Sequence, residues 1–191
     1  MELETKLQQI CDAIRITGEY TGYEHIKAGN VNDTYKVFFR KPDNPNKAYI
    51  VQRVNTYAFR KPEQLMHNAD LITEHNRARK QGQTAIHYHH TEDRKTFVYD
   101  DEGNFWRLCN FISSQTYNSS SDPAILRETG IAFGEFQSLL SDFSVYDLYE
   151  TIPNFHNTPA RLKVLFEDAE KDPLGRVAEA QEDLEYIASV R

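Results

Sequence analysis

Cysteine is nearly absent from the sequence: Cys11 and Cys109 are the only two, far apart and in unlike contexts, which excludes a disulfide framework and a cysteine zinc site. Basic residues are also in the minority, with Lys+Arg 22 against Asp+Glu 29 and a net charge of −7. They are dispersed, so the basic face that a nucleic acid or an anionic membrane surface requires is missing, and a small-molecule ligand remains open. No apolar run approaches the roughly 18 residues of a transmembrane helix, and no charged-then-apolar leader opens the chain, which predicts a cytoplasmic protein. The G-x-S-x-G elbow of an α/β-hydrolase does not occur. No internal repeat is visible.

What is present is enough for a folded core: 39% hydrophobic and 12% aromatic residues in 191. Leu3, Leu7, Ile10, Cys11 and Ile14 recur at helical spacing and stop before Thr17-Gly18, predicting an amphipathic opening helix. Strands are expected near 23–28, 34–40 and 48–54, as a meander with the PDNPN turn between the second and third. Pro62 can occupy the first turn of a helix running to about Lys80, with Leu65, Ala69, Ile72 and His75 or Asn76 on one face. Further strands are expected near 84–90, 95–99 and 104–112, the last two joined by DDEGN. After Phe111-Ile112 the character changes. The polar stretch SSQTYNSSSDP leads to a helix capped by Asp122 and Pro123, with Ile125, Thr129, Ala132, Phe133, Phe136, Leu139 and Leu140 on one face. Two more helical segments are expected at about 158–170 and 173–189.

The stretch GNVNDTYKVFF, residues 29–39, admits two readings: a plain turn feeding a strand, or short polar groups and exposed N–H groups arranged around an anion. The order of elements, together with GNVNDTYKV (29–37), YIVQRVNTYAF (49–59), PEQLMHNADLITEH (62–75), FWRLCNFI (105–112), GIAFGEFQSLLSDF (130–143) and ETIPNFHNTPARL (150–162), resembles the kinase-like phosphotransferases. That group includes aminoglycoside phosphotransferases, choline kinases and homoserine kinases, and the likeness is greatest to the N-acetylhexosamine 1-kinase type. The resemblance implies an α+β fold: a protein-kinase-like small lobe, with an antiparallel sheet and one helix, over residues 1–112. A hinge at 113–121 and the first helices of a helical lobe at 122–191 would follow.

It also implies roles. The loop 29–34 would cover nucleotide phosphates, with Gly29 allowing close approach and Asn30, Asn32, Asp33 and Thr34 supplying polar groups. The third strand would supply a cation for the α- and β-phosphates. Arg53 is the candidate, or Gln52 at that place if the register lies one residue earlier, since alternating residues face opposite ways. Glu74 would orient the cation, with Glu63 and Asp70 as rivals. Adenine would lie against Val51, Ile50 or their neighbours, its edge read by the backbone of Asn110, Phe111 and Ile112. Phe155, His156, Asn157 and Arg161 would border a sugar, an N-acetylhexosamine phosphorylated at its anomeric hydroxyl; equally, Asn157 and Pro159 suit a helix cap and first turn.

Phosphoryl transfer in this group uses an H-x-D-x-x-x-x-N loop and a second aspartate for magnesium, and neither occurs in the sequence. His67-Asn-Ala-Asp70 has the wrong spacing, and Asp142-Phe143-Ser144 reads as a helix terminus. The expectation is therefore an N-terminal fragment of an ATP- and Mg2+-dependent sugar kinase, inactive alone, with its metal ligands elsewhere and an apolar helical face prone to self-association. The alternative is a non-catalytic nucleotide- or sugar-binding module. HYHH at 87–90 reads as an edge strand rather than a metal site. Relatives of this type are sometimes labelled mucin-desulfating sulfatases, yet the cysteine contexts CDAIR and CNFIS lack the C-x-P-x-R nucleophile of a sulfatase.

Overall fold

The computed structural model describes residues 2–79 and 86–190. The chain divides into two compact units between Thr151 and Ile152. The first is α+β. It opens with α1 (Leu3–Ala13), followed by β1 (Glu19–Ile26), β2 (Asp33–Arg40) and β3 (Lys47–Arg53), then α2 (Pro62–Arg79), β4 (Phe97–Tyr99) and β5 (Phe105–Asn110), and finally α3 (Pro123–Leu139). The strands form one five-stranded sheet in the order β1-β2-β3-β5-β4, antiparallel at every pairing.

The meander is bent at its start. Between Tyr20 and Gly22 the register with β2 shifts, and Gly22 adopts a φ of 141° that a side chain would resist. At Gly18 a Cβ would lie 2.9 Å from the Arg40 carbonyl oxygen, so only glycine lets the chain turn from α1 into β1 so close to the end of β2.

Strand alternation gives the sheet two chemically distinct faces. Tyr35, Val37 and Phe39 of β2, Tyr49 and Val51 of β3, and Trp106 and Leu108 of β5 form one core with Leu7, Ile10, Cys11, Ile14 and Ile16. Each fully buried aliphatic or aromatic side chain contributes roughly 1.5–3 kcal/mol of transfer free energy, so this core fixes α1 on the sheet. A polar clamp completes it: Lys6 Nζ donates to Glu102 Oε1 at 2.7 Å and lies 3.2 Å from Asp100 Oδ2, while Trp106 Nε1 donates to Asp100 at 2.9 Å. The other face is shorter of apolar cover. There Val54, Met66 and Phe105 are buried, with Phe59, Leu65, Ala69, Tyr88 and Phe97 around them, and α2 covers only this end.

One expected element comes out differently. Residues 84 and 85 of the strand expected at 84–90 lie outside the described residues, and 86–90 form only an isolated bridge, Tyr88 with Cys109. This segment follows the edge of β5 that β4 takes up further along, since β4 pairs only with Phe105–Arg107. Asp122 caps α3 as expected, its carboxylate accepting from Ala124 N at 2.8 Å. Past α3, the chain is tied to α2. Asn68 Nδ2 donates to the Tyr149 carbonyl at 2.7 Å and its Oδ1 accepts from Tyr149 N at 2.9 Å. His75 Nε2 lies 3.0 Å from the Leu139 carbonyl, and Arg79 pairs with Asp142.

The second unit contains α4 (Thr158–Lys171), a 3-10 turn at Val177–Ala180 and α5 (Gln181–Val190). Asn157 caps α4, with Oδ1 accepting from Ala160 N at 3.1 Å.

Candidate functional site

The sheet face opposite α1 carries Thr34, Lys36 and Phe38 from β2, Ala48, Ile50 and Gln52 from β3, and Arg107 and Cys109 from β5, as the pairings Thr34 with Gln52 and Gln52 with Arg107 require. Most of this strip, here termed the trough, is half-buried, and α2 reaches its Arg107 end through Met66. At one end lies a cavity of about 430 Å³ lined by Lys36, Phe38, Asn44, Asn46, Lys47, Ala48, Phe111 and Ser113. Lys36 Nζ sits 3.9 Å from the centre of the Phe111 ring and 5.3 Å from that of Phe38. Such a cation–π contact is worth about 0.5–2 kcal/mol and fixes both the ring and the ammonium. From Phe38 to Thr34 the strand runs four residues, roughly 13 Å at about 3.3 Å each. At that far end the side chains form a chain of hydrogen bonds: Arg107 Nε donates to Gln52 Oε1 at 3.0 Å, and Gln52 Nε2 donates to Thr34 Oγ1 at 3.0 Å.

The loop of residues 27–32 joins β1 to β2 at this same end. Asn32 Oδ1 accepts from Asn55 N at 3.0 Å, tying the loop to the chain beyond β3, whereas Gly29 and Asn30 are exposed. A Cβ at Gly29 would meet nothing closer than the Asn32 carbonyl oxygen, at 3.9 Å. Asp33 and Arg53 pair with each other on the α1 side of the sheet, Arg53 Nε lying 2.8 Å from Asp33 Oδ2. Hydrogen bonding to Asp33 raises the Arg53 pKa against the opposing effect of burial. Beside them is a second cavity of about 370 Å³, lined by Val31, Asp33, Arg53, Val54, Asn55, Thr56, Asn104 and Phe105.

Of the two cationic-position candidates, Gln52 therefore faces the trough and Arg53 faces away. Val51 also turns from the trough. It has no exposed surface and lies in the α1 core, because odd-numbered β3 residues point there, so its side chain offers nothing for a base to stack on. Ile50 points the other way. Glu74 engages Arg77, at 2.5 Å, and His87 Nδ1, at 3.2 Å, rather than Arg53. Glu63 accepts from the Tyr99 hydroxyl at 3.2 Å, and Asp70 lies 3.4 Å from His90 Nε2. At the end of β5, Asn110 N donates to the His87 carbonyl at 3.2 Å, Asn110 Oδ1 accepts from His87 N at 2.7 Å, and Phe111 N donates to the Ala48 carbonyl at 3.4 Å. The Ile112 carbonyl accepts from Ser114 Oγ at 3.4 Å.

Lys36 and Arg107 are trough residues that sequence reading does not single out. Their one available signal is a lone cation inside an apolar strand, in TYKVFF and FWRLC.

No family model matches this chain.

The histidine segment is a packing device. His87 and His89 have ring centres 4.9 Å apart, and burial, aided by His87 and nearby lysines, lowers the His89 pKa to about 4. Among the described residues no group of three His, Cys, Asp or Glu side chains could hold a metal ion, so no ligand set for Mg2+ can be named. Burial pushes the Cys11 thiol up to about 12 and the Cys109 thiol up to about 11, which leaves both protonated and unreactive at neutral pH.

In the second unit, Phe155 is flanked by His156, with ring centres 4.8 Å apart, and by the Arg161 guanidinium, 5.2 Å from the ring centre. Asn157 is occupied by its cap and by a hydrogen bond from its Nδ2 to Asn154 Oδ1 at 3.2 Å. The four residues are thus clustered. The amide of Asn157 is used for structure.

Proposed function

We propose that this chain is the nucleotide-binding part of an ATP-dependent phosphotransferase that acts on a small-molecule hydroxyl, the anomeric hydroxyl of an N-acetylhexosamine being the acceptor the resemblance favours. The observation that carries the reading is the trough. A cavity with aromatic walls, Phe38 and Phe111, lies about four strand residues, roughly 13 Å, from a polar end where the loop between the first two strands arrives. That length and that polarity gradient suit an extended nucleoside triphosphate, base in the cavity and phosphates at Thr34 and Gln52. Ala48 and Ile50 supply the apolar floor, and the chain leaving β5 supplies Phe111.

In this reading Gly29 and Asn30 form the exposed tip of a phosphate cover whose root is held by Asn32. The sequence contains no H-x-D-x-x-x-x-N, so in this reading these 191 residues bind the nucleotide and none of them is assigned as catalytic base or magnesium ligand. For the acceptor, Phe155 offers an apolar ring face to a sugar, with His156 and Arg161 beside it.

One observation favours a second reading, a non-catalytic nucleotide-binding module: the same missing catalytic loop. Two measurements test both. Competition against a fluorescent ATP analogue should show ATP binding, weakened about tenfold by Phe111→Ala, which removes a stacking face and the Lys36 support. Absence of ATP binding overturns the nucleotide reading. A phosphotransfer screen of the full-length protein with N-acetylhexosamines, choline, homoserine and aminoglycosides then separates kinase from module, while residues 1–191 alone should turn over no ATP.

A further inference from the structure

Among the described residues Arg107 is the one arginine whose side chain is not on the exposed surface. Most other arginines with a partner are held by carboxylates: Arg40 by Glu19, Arg53 by Asp33, Arg77 by Glu74, Arg79 by Asp142 and Arg127 by Glu128. Among the described residues the partners of Arg107 are neutral groups. Its Nε donates to Gln52 Oε1 at 3.0 Å, one terminal nitrogen lies 3.7 Å from Met66 Sδ, and the guanidinium carbon is 5.3 Å from the centre of the Tyr88 ring. A thioether is a weak acceptor, and a planar guanidinium carries five N–H donors, so most of its donor capacity is unspent.

A half-buried charge with no counter-ion among the described residues is costly, and a fold that keeps one there is poised for an anion. The surroundings fix where the anion goes. Gln52 holds the Nε edge, and Gln52 itself is held by Thr34, the first trough residue after the β1–β2 loop. The guanidinium fork is thereby oriented before any ligand arrives, which lowers the entropy lost on binding. The field of Arg107 is felt by its neighbours: it opposes the rise that burial imposes on the Tyr88 hydroxyl and the Cys109 thiol.

We infer that Arg107, oriented by Gln52 and Thr34, is an anion-binding centre at the α2 end of the trough that takes the phosphate chain of a polyphosphate ligand. The inference rests on the nucleotide reading for the identity of that ligand, and it moves the phosphate-binding cation from β3 to β5. Gln52 then serves as a positioning residue.

The test uses the chain as it is, with tripolyphosphate and ATP as separate probes in calorimetry at low and moderate salt. Arg107→Met keeps the stem and removes the charge. It should weaken tripolyphosphate and ATP about tenfold or more and flatten the salt dependence, while Arg40→Gln, a surface charge control, should change neither. If Arg107→Met does not fold, Gln52→Glu decides: it preserves shape, places a carboxylate against the guanidinium, and should abolish tripolyphosphate binding through neutralisation. Tripolyphosphate affinity that survives either folded variant overturns the inference, as does ATP binding with no tripolyphosphate binding at all. Tripolyphosphate bound through Arg107, with ATP no tighter and Phe111→Ala silent, upholds the anion centre and sinks the nucleotide reading. Binding of neither probe sinks both.

Discussion

Arg53 and Asp33 form an ion pair on the sheet face that carries α1, with Nε 2.8 Å from Oδ2. Both side chains are well exposed, and pairs of that kind contribute at most about 1 kcal/mol. Arg53→Ala should therefore shift urea-induced unfolding by no more than that and should weaken ATP less than Arg107→Met does. A larger loss of ATP affinity in Arg53→Ala, measured in the same competition assay, returns the cationic role to β3.

Asp100 is the hub of the α1 clamp. Burial alone would raise its pKa, but hydrogen bonds from Asn104, Trp106 and Lys6 outweigh it and hold the carboxyl well below its ordinary 3.8. A depressed folded-state value means that the carboxylate stabilises the fold above the unfolded value and that this contribution is lost as pH falls through the folded one. Asp100→Asn should cost roughly 1–3 kcal/mol at pH 7, since Trp106 and Lys6 lose a charged acceptor. The gap between variant and wild type should narrow below about pH 3.8. Denaturant titrations across pH check this; a gap that widens with acid contradicts the assignment.

Asn68 joins the chain beyond α3 to α2 through both ends of its amide, 2.7 and 2.9 Å from the Tyr149 backbone. Asn68→Ala should raise the hydrogen-exchange rate of the Tyr149 amide by about fivefold, for a net bond of about 1 kcal/mol, and leave the sheet amides unchanged. Uniform acceleration across the sheet would show instead that the two regions open together.

No residue of α3 is buried; Phe133 is 67% exposed, Leu126 56% and Phe136 46%. Contiguous apolar surface of this kind drives association. Purified chain should scatter light as a species larger than a monomer, and Phe133→Ser with Phe136→Ser should lower that mass. A monomer at all concentrations would show that this face is tolerated in water.

The elements were legible where periodicity was strong. Leu7, Ile10 and Cys11 mark α1 by spacing alone, the β2 and β3 bounds lie within a residue of expectation, and Asp122 announces its cap. The trough was harder to read, for a physical reason. Alternation states that Gln52 and Arg53 face opposite ways, but which way is decided by α1 packing over Val51, a contact between segments some forty residues apart. Arg107 stands in a strand whose neighbours Trp106 and Leu108 are core, and the neutrality of its partners among the described residues emerges only when β3, α2 and the Tyr88 segment are brought together. The partners of Glu74 were equally hidden: it lies on the side of α2 that meets His87, not the sheet rim where Arg53 points.

The sequence holds a single tryptophan, Trp106, 2% exposed and bonded through its indole N–H to Asp100. Its emission is consequently a private optical readout of the seam between α1 and the sheet. When the opening helix lifts away, indole meets water and loses a charged neighbour, so colour and intensity change together. Ligands entering the trough approach the opposite face and leave that signal quiet, so one chromophore separates loosening of the scaffold from occupancy of the site.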